Sequence, residues 1–557
     1  ERQIENKVYI NENKPGERYK FNSEIRSAPE NKFQPARITR CYILNYKQTP
    51  SETINEDTIR ISIPNINGEV PLFIIYRALG VITDLDICNT IVDDIESPLG
   101  KKFLEFLQPT ITEGMLINNQ KDALLYLESK VSSNFMTPSI DKTTRLNFLL
   151  YILRDYFLPH CGSNNYEKAY YLGYMVGELI YTRLNIRKKT DRDSYIYKRV
   201  DTSGFLISAI FRDLYFRVKN KLIENVNIAY STKDDDNSAG LYWKSFTSTT
   251  NGYRDYNFLK LIAYESEEDG VKTIDEIFDE SIMNEGFLYA FKNCWGLKNA
   301  PCKQGITQDM NRLSFAGAVS HIRRVNTPLS SSAKVRAPHM LHLSSYGYMC
   351  PYETPDGANI GLRKNISLFC NITSGTNSTN LIKLLYTSGL EDILQFEKGK
   401  LSYTRVFLNE RLMGYTKKPL YMTRKLKLLK RNALINVYTS IAWYIDTQII
   451  KISTDSGRAV RPVMVASNGK TKITPKIISM LDSKQINWYH LVGGFRNIDK
   501  AMPYDDNDGT YYATPENDNL EQLEETAGII EYIDAEETNV SLIAMNPKNL
   551  DNKIDKY

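Results

Sequence analysis

The stretch that decides the fold is MNRLSFAGAVSHIRRVNTPLSSSAKVRAPHMLHLSSYGYMCPYETPDGANIGLRKNISL, residues 310–368. It is rich in Arg, His, Pro and Gly, and it lacks the long periodic apolar runs of packed helices. Prolines stiffen such loops, and glycines permit turns and close backbone approach. A rigid, basic, irregular platform of this kind suits contact with a sugar-phosphate backbone. Charge alone leaves open a solvated loop with internal salt bridges.

Basic side chains are grouped closely in this stretch. Guanidinium groups form forked hydrogen bonds with phosphate oxygens, so these residues are candidates for contact with nucleic acid. The group consists of Arg312, His321, Arg323, Arg324, Lys334, Arg336, Arg363 and Lys364.

The composition of the whole chain is that of an ordinary globular protein. The 557 residues are 42% hydrophobic and 24% charged, and this length corresponds to about three to five domains. The net charge of +4 is small for the length. A free-standing nucleic-acid-binding protein is usually more basic, so any binding of nucleic acid must be local.

Periodic apolar residues outside the central stretch predict several secondary-structure elements. Helices are expected at 142–157, 167–184 and 204–224, a basic helix at 422–434, and a strand at 459–467. The polar, Gly- and Asp-rich segment 232–256 is typical of a long loop or insertion. The basic helix is a candidate for contact with nucleic acid, but its leucines at 426, 428 and 429 favour a docked helix with one face in water.

The sequence gives only weak signals for a metal site. The seven cysteines include no CxxC pair, which excludes zinc-ribbon spacing and favours reduced, buried thiols in an intracellular setting. His339 and His342 form an HxxH pair, but Pro338 and the lack of a nearby Glu or Cys cluster argue against zinc. The run Asp234–Asp236 is interpreted as a solvated loop. No apolar run approaches the roughly 20 residues that span a bilayer, so no membrane partner is expected.

The central motifs resemble the fork region of the second-largest subunit of multisubunit DNA-directed RNA polymerases of the eukaryotic, archaeal or large-DNA-virus type. The resemblance rests on SHIRRVNTP at 320–328 and ETPDGANIGL at 353–362. Several segments are similar to the lobe of that subunit. They are NSEIRSAP at 22–29, PLFIIYRALGVITD at 71–84, LPHCG, KAYYLGYMVGELI and DRDSYIYKRVDTSG. STDSGRAVRPVMV resembles its first external domain, and GIIEYIDAEE with SLIAM resembles its second.

The resemblance implies a multidomain α+β fold with a mixed helical lobe, an irregular fork, and small α/β and β-rich external domains. The expected boundaries are 1–197 for the end of the protrusion and the lobe, 198–282 for a returning protrusion segment, 283–372 for the fork, 373–470 for external domain 1 and 471–557 for external domain 2. Within the returning segment, residues 237–275 are expected to be an insertion relative to the family.

The resemblance also implies positions for individual residues. Arg312, His321, Arg323 and Arg324 would lie in or beside the fork, near the downstream edge of the RNA–DNA hybrid. Asp356, Gly357, Asn359 and Gly361 would line the active centre close to the growing RNA, with Arg363 and Lys364 nearby. Asp356 stands where the family has Glu, which keeps the carboxylate. Some of these arginines are equally expected to form internal ion pairs.

Catalysis in this family uses Mg²⁺ held mainly by an aspartate triad of the largest subunit, and no NADFDGD-type motif occurs here. The resemblance therefore implies that this chain holds no metal and does not synthesise RNA alone. The expected partners are the largest subunit, the small subunits, the DNA template and the RNA–DNA hybrid. A further partner is the remaining C-terminal part of the second-largest subunit, with its hybrid-binding region, wall and clamp, expected as a second polypeptide.

Two other functions are weighed against this one. A divergent, split subunit that holds DNA as a non-catalytic scaffold is disfavoured by the intact central motifs. A single-chain polymerase related to RNA-silencing enzymes would need a catalytic aspartate cluster in this chain. The apparent AT-rich bias, the insertion and the apparent split favour a large DNA virus, with transcription in cytoplasmic factories or virions. A nuclear enzyme is the alternative.

Overall fold

The computed structural model describes two compact units of mixed α and β structure, which confirms the predicted α+β multidomain class. The described residues are 1–14, 16–29, 36–45, 57–92, 94–131, 142–230, 279–292, 295–297, 305–329, 335–393, 403–467, 469–495 and 520–550. Segment 237–275 and Asp234–Asp236 lie outside these ranges. No helix within them combines the length and apolar character needed to cross a bilayer.

The smaller unit comprises Glu1, Asp201–His339 and Glu353–Asn365. The larger unit comprises Arg2–Val200, Met340–Tyr352 and Ile366–Tyr557. The central stretch of sequence is therefore divided between the two units.

The N-terminal part of the larger unit is a sheet covered by helices. Its strands are β1 (Arg2–Gln3), β2 (Tyr9–Glu12), β3 (Tyr19–Ser27), β4 (Arg37–Leu44), β5 (Ile59–Ser62), β6 (Val70–Pro71) and β7 (Lys198–Arg199). Its helices are α1 (Leu72–Leu79), α2 (Asp84–Ile91), α3 (Pro98–Gly114), α4 (Gln120–Ser129), α5 (Lys142–Tyr151) and α6 (Asn165–Arg183), with 3₁₀ turns at Pro159–Cys161 and Tyr195–Tyr197. Strands β2 to β6 form an antiparallel sheet in sequence order, and β1 pairs with β7.

Helix α1 is the centre of this part of the core, because all of its side chains are buried. Gly80 ends it in the left-handed conformation at φ 104°, a conformation that glycine adopts without steric cost. The one charged residue, Arg77, is compensated by donating hydrogen bonds to the carbonyls of Gly114 and Ile117 and pairing with Asp84. The guanidinium thereby fixes the end of α3.

The predicted helix at 142–157 is wrong as a single α-helix. The structure has α5 as far as Tyr151, followed by a π-helical turn at Ile152–Tyr156. The buried Lys168 of α6 donates to the carbonyls of Leu153 (2.8 Å) and Arg154 (2.5 Å). A cation that binds these carbonyls from outside the helix accounts for the wider turn.

The smaller unit contains three helices and a two-stranded ladder among its described residues. They are α7 (Ser203–Tyr230), α8 (Ser281–Lys292), α9 (Phe315–Ile322), β8 (Arg324–Asn326) and β9 (Arg363–Asn365), with 3₁₀ turns at Ala337–His339 and Gly357–Asn359. Helices α7 and α8 pack through Leu214 and Ala290, together with Trp295. A Cβ on Gly286 would lie 2.2 Å from Leu214 Cδ2, so the close approach of the helices requires glycine there.

The C-terminal part of the larger unit alternates short helices and strands. Its strands are β10 (Asn371–Ile372), β11 (Leu390–Asp392), β12 (Thr404–Leu408), β13 (Arg411–Thr416), β14 (Ser440–Tyr444), β15 (Ile449–Ser453), β16 (Ala459–Met464), β17 (Ala466–Ser467), β18 (Lys470–Thr471) and β19 (Ile530–Asp534). Its helices are α10 (Thr379–Thr387), α11 (Pro419–Arg431), α12 (Pro475–Asp482), α13 (Trp488–Gly493), α14 (Leu520–Glu525) and α15 (Ala535–Val540), with 3₁₀ turns at Leu343–Ser345 and Pro547–Leu550.

Two sheets organise this part. One has the order β11-β13-β12-β15-β14, in which β12 and β15 are parallel, and the other has the order β10-β16-β19. Helix α11 is the predicted basic helix, and it buries Leu426, Leu428 and Leu429 while Arg424 remains exposed. The prediction of a docked helix with a wet face is confirmed.

Candidate nucleic-acid interface

All ten candidate residues of the predicted interface lie in the smaller unit, and four of them lie in or directly beside its ladder. Strands β8 and β9 pair antiparallel, with Arg324 opposite Asn365 and Asn326 opposite Arg363. Val325 is buried between these positions and anchors the ladder. The ladder therefore brings together Arg323, Arg324, Arg363 and Lys364, which are about 40 residues apart in sequence.

The basic groups differ in whether they have internal partners. Lys364 Nζ lies 3.1 Å from a carboxylate oxygen of Glu1, and both side chains are largely buried, so this lysine belongs to an internal ion pair. Arg312, Arg324 and Arg363 form no ion pair with any residue of the described ranges. The Nε of Arg324 is buried without a hydrogen-bond partner among those residues. Arg312 is exposed to solvent.

His321 forms hydrogen bonds with two residues of its own unit, Asn311 and Gln308. Its Nδ1 accepts from the backbone N–H of Asn311 at 3.1 Å, and its Nε2 lies 2.9 Å from the side-chain oxygen of Gln308. This pair of partners fits a neutral ring that carries its proton on Nε2. Ser314 caps α9 by accepting from the N–H of Gly317 at 3.0 Å. His321 thus fixes the segment that carries Arg312.

The ETPDGANIGL segment forms a loop that is closed at its base. The Thr354 hydroxyl donates to the Arg363 carbonyl at 2.9 Å and accepts from the Gly361 N–H at 3.0 Å. The amide of Asn365 donates to the Glu353 carbonyl at 3.1 Å. The Nδ1 of His339 donates to the Ile360 carbonyl at 2.8 Å. Sequence reasoning missed Thr354 and His339 because hydrogen bonds across a loop leave no periodic signal.

The tip of this loop carries the other candidate residues. Asp356 and Gly357 are exposed, and Asn359 is half-exposed. Gly357 has φ 79°, and no atom lies within 4 Å of the position that a Cβ would occupy. Gly361 has φ 72°, and a Cβ there would lie 2.3 Å from the His339 carbonyl oxygen, so only glycine fits. The loop therefore presents polar groups to solvent from a closely packed base.

The two histidines of the HxxH pair each have other hydrogen-bond partners. His342 bonds to Asp191 through Nε2 at 2.8 Å and to Ser344 Oγ through Nδ1 at 2.7 Å. The hydrogen bond from His342 lowers the pKa of Asp191. The described residues contain no group of three or more His, Cys, Asp or Glu that could hold a metal ion.

Residues 340–352 of the central stretch are anchored within the larger unit. Tyr348 is buried, and its hydroxyl lies 2.7 Å from Thr538 Oγ1. The guanidinium of Arg461 lies over the Tyr348 ring, 5.3 Å from its centroid. Gly347 has φ 81°, and a Cβ there would lie 2.3 Å from Arg461, so glycine is required for this packing.

The smaller unit also exposes an apolar surface that sequence reasoning missed. Helix α9 has no buried side chain, and Phe315 and Ile322 are 88% and 72% exposed. Leu313, just before the helix, is 95% exposed. These three large apolar side chains are therefore exposed on and directly before one short helix.

Comparisons with known proteins match four consecutive domains of one subunit. The family models are RNA polymerase Rpb2, domain 2 at residues 5–201, domain 3 at 308–372, domain 4 at 406–467 and domain 5 at 521–557.

Similar proteins from eukaryotes and archaea are subunits of DNA-directed RNA polymerases. The chain is 30% identical to DNA-directed RNA polymerase II subunit RPB2 of Encephalitozoon cuniculi, over 99% of the chain and 41% of that relative. It is 28% identical to DNA-directed RNA polymerase II subunit 2 of Arabidopsis thaliana, over 99% of the chain and 41% of that relative. It is 26% identical to DNA-directed RNA polymerase subunit Rpo2 of Saccharolobus shibatae, over 90% of the chain and 38% of that relative.

The chain therefore belongs to the family of second-largest subunits of multisubunit DNA-directed RNA polymerases. Within that subunit it corresponds to domains 2 to 5, and it spans about two fifths of the length of these relatives.

Proposed function

We propose that this chain forms one side of the DNA cleft, and the fork near the active centre, of an RNA polymerase that synthesises RNA on a DNA template. The observation that carries the proposal is the β8–β9 ladder. It groups Arg324 and Arg363, which have no internal ion pair among the described residues, beside the exposed polar loop of Asp356 and Asn359. Phosphate contacts of this kind position a nucleic acid without reading its sequence.

Lys364 and His321 have structural roles in this proposal. Lys364 pairs with Glu1, and His321 connects Asn311 and Gln308. The residues proposed to approach the RNA–DNA hybrid are therefore Arg312, Arg323, Arg324 and Arg363. Asp356, Gly357 and Asn359 are proposed to lie nearest the growing RNA, and Gly361 holds the base of their loop.

The proposal assigns the chemistry of nucleotide addition to a partner. Two Mg²⁺ ions would activate the RNA 3′ oxygen and neutralise the charge on the departing pyrophosphate. Their aspartate ligands would belong to the largest subunit, because the described residues of this chain bring no suitable group of carboxylates together. This chain would position the nucleic acid and does not synthesise RNA alone.

The exposed face of α9 fits a protein partner within the same enzyme. Leu313, Phe315 and Ile322 would be covered in the assembled polymerase. We assign this surface to the remaining part of the second-largest subunit, with the largest and small subunits completing the complex. The proposed setting remains a viral enzyme in cytoplasmic factories or virions, with a nuclear enzyme as the alternative; the relatives quoted above are eukaryotic and archaeal.

The test is substitution of the unpaired arginines in the assembled polymerase. Arg324→Ala and Arg363→Ala should each slow elongation on every template alike and reduce the steepness with which template binding weakens as salt rises. Each lost phosphate contact lowers the slope of log K against log salt by about 1. Lys476→Ala, an exposed lysine of α12, is the matched control and should leave both quantities unchanged.

One result would contradict this assignment. If both arginine variants changed promoter choice while elongation and salt dependence stayed at the control level, the assignment of this ladder to the nucleic-acid path would be wrong.

A further inference from the structure

The hydroxyl of Thr354, in the ETPDGANIGL loop, forms hydrogen bonds with two backbone groups. Its Oγ1 donates to the carbonyl of Arg363 and accepts from the N–H of Gly361, at 2.9 and 3.0 Å. The first contact joins the loop to β9, and the second closes the loop upon itself. The side chain is only partly exposed, so the protein competes effectively with water for both bonds.

His339 supports the same loop from the other side. Its Nδ1 donates to the Ile360 carbonyl at 2.8 Å, which places the ring proton on that nitrogen. Its own backbone carbonyl lies so close to Gly361 that a Cβ would approach to 2.3 Å. The conformation at residues 360 and 361 is therefore determined by contacts from Thr354 and His339 together.

The residues between these supports form a 3₁₀ turn with local backbone hydrogen bonds, in which the N–H of Ile360 donates to the Gly357 carbonyl and the N–H of Leu362 donates to the Asn359 carbonyl, both at 3.1 Å. Asp356 and Gly357 are exposed, and no atom lies within 4 Å of a Cβ built on Gly357. The direction in which Asp356 and Asn359 point is consequently set at the base of the loop rather than at its tip.

We propose that Thr354, assisted by His339, is a positioning residue for nucleotide addition, which sets the loop of Asp356 and Asn359 against the growing end of the RNA. The inference rests on the proposed function. It assigns no chemical step to Thr354, since the hydroxyl acts only on the Gly361 amide and the Arg363 carbonyl. A displacement of about 1 Å in a positioning group can cost up to about a hundredfold in rate.

The experiment compares Thr354→Val with Thr354→Ser in the assembled polymerase on a fixed RNA–DNA scaffold. Valine keeps the shape and removes the hydroxyl, whereas serine keeps the hydroxyl. We expect valine to lower the single-turnover rate of nucleotide addition about tenfold, and serine to restore it to within about twofold. The scaffold Kd should stay unchanged, because both variants keep the charged residues. Hydrogen exchange at residues 356–361 should accelerate in the valine variant alone.

Three results would overturn the proposal. The valine variant could add nucleotides at the wild-type rate, serine could fail to restore the rate, or valine could weaken scaffold binding as much as it slows addition. His339→Phe removes the second support and should slow addition in the same way, which keeps the proposal testable if Thr354→Val does not assemble. If Arg324→Ala and Arg363→Ala also leave elongation unchanged, the proposed function fails; if they slow it and Thr354→Val does not, only this inference fails.

Discussion

At the scale of single residues, the larger unit keeps several titratable side chains away from water, and His160 is the simplest of them. The ring lies on the sheet side of α6, where Nδ1 is 2.7 Å from the Ser27 hydroxyl and Nε2 is 3.4 Å from Cys161 Sγ. The Ser27 hydroxyl also accepts from the backbone N–H of His160 at 3.2 Å. Burial away from water favours the neutral ring over the charged one.

This arrangement predicts a loss of stability in mild acid. Burial lowers the pKa of His160 to about 3, whereas an unfolded histidine titrates near 6.5. As the pH falls below about 6.5, the unfolded state binds a proton that the folded state does not. Folding should therefore weaken by about 2 kcal/mol between pH 7.5 and pH 5 from this residue.

The measurement is hydrogen exchange of the β3 and α6 amides in the wild type and in His160→Gln, at both pH values. The opening free energy of the wild type should fall more steeply with acid than that of the variant. Parallel pH dependences would contradict the assignment of a buried, neutral His160.

At the scale of elements, the sequence predicted what is periodic and missed what is held by a few polar contacts. The apolar pattern at 167–184 corresponds to α6 at Asn165–Arg183, and the leucines of the basic helix are buried as expected. The break after Tyr151 was missed because it depends on Lys168, which binds backbone carbonyls of a preceding helix.

The candidate site shows the same division. The motifs selected Arg324 and Arg363 as candidates, and the ladder brings these two residues together. The motifs could not predict that Lys364 pairs with Glu1, that His321 bonds to Asn311 and Gln308, or that Thr354 closes the loop. These outcomes depend on where segments more than 300 residues apart meet, or on the rotamer of a single hydroxyl, and neither is encoded in local spacing.

One buried lysine of α11 connects this helix directly to α15 and β19, and through Glu537 to β14. Lys430 Nζ lies 3.0 and 2.9 Å from the two oxygens of Glu537 in α15, and 3.3 Å from Glu531 in β19. Glu537 also accepts from the Ile441 N–H of β14 at 2.9 Å. All three charged side chains are almost fully buried; Glu531 also pairs with Arg431 at 2.8 Å, whereas Glu537 depends on Lys430 for its compensating charge.

Lys430→Met should therefore destabilise this part of the larger unit by about 3–5 kcal/mol, because it leaves the carboxylate of Glu537 buried without its cation, whereas Glu531 keeps its pair with Arg431. The matched control is Arg424→Met on the same helix, whose exposed pair with Glu524 is worth about 1 kcal/mol or less. The measurement is the opening free energy of the α11 amides, obtained by hydrogen exchange in the Lys430→Met and Arg424→Met variants. Equal effects would mean that Lys430 contributes no more than a surface pair.

At the scale of the whole molecule, the chain spans about two fifths of the length of the relatives it matches. Its four matched domains correspond to a contiguous portion of the second-largest subunit. Its small net charge is consistent with the proposal that any contact with nucleic acid is local. The exposed apolar side chains of α9 fit a protein partner beside that face.

The most direct test of the account is site-specific photo-crosslinking in an assembled elongation complex. A photoreactive residue at Asn359, at the tip of the polar loop, should crosslink to the RNA or to the template strand near the RNA 3′ end. The same probe at Lys476, an exposed position on α12, should not. Crosslinking from Asn359 that is confined to protein, in complexes that remain active, would contradict the placement of this loop beside the growing RNA.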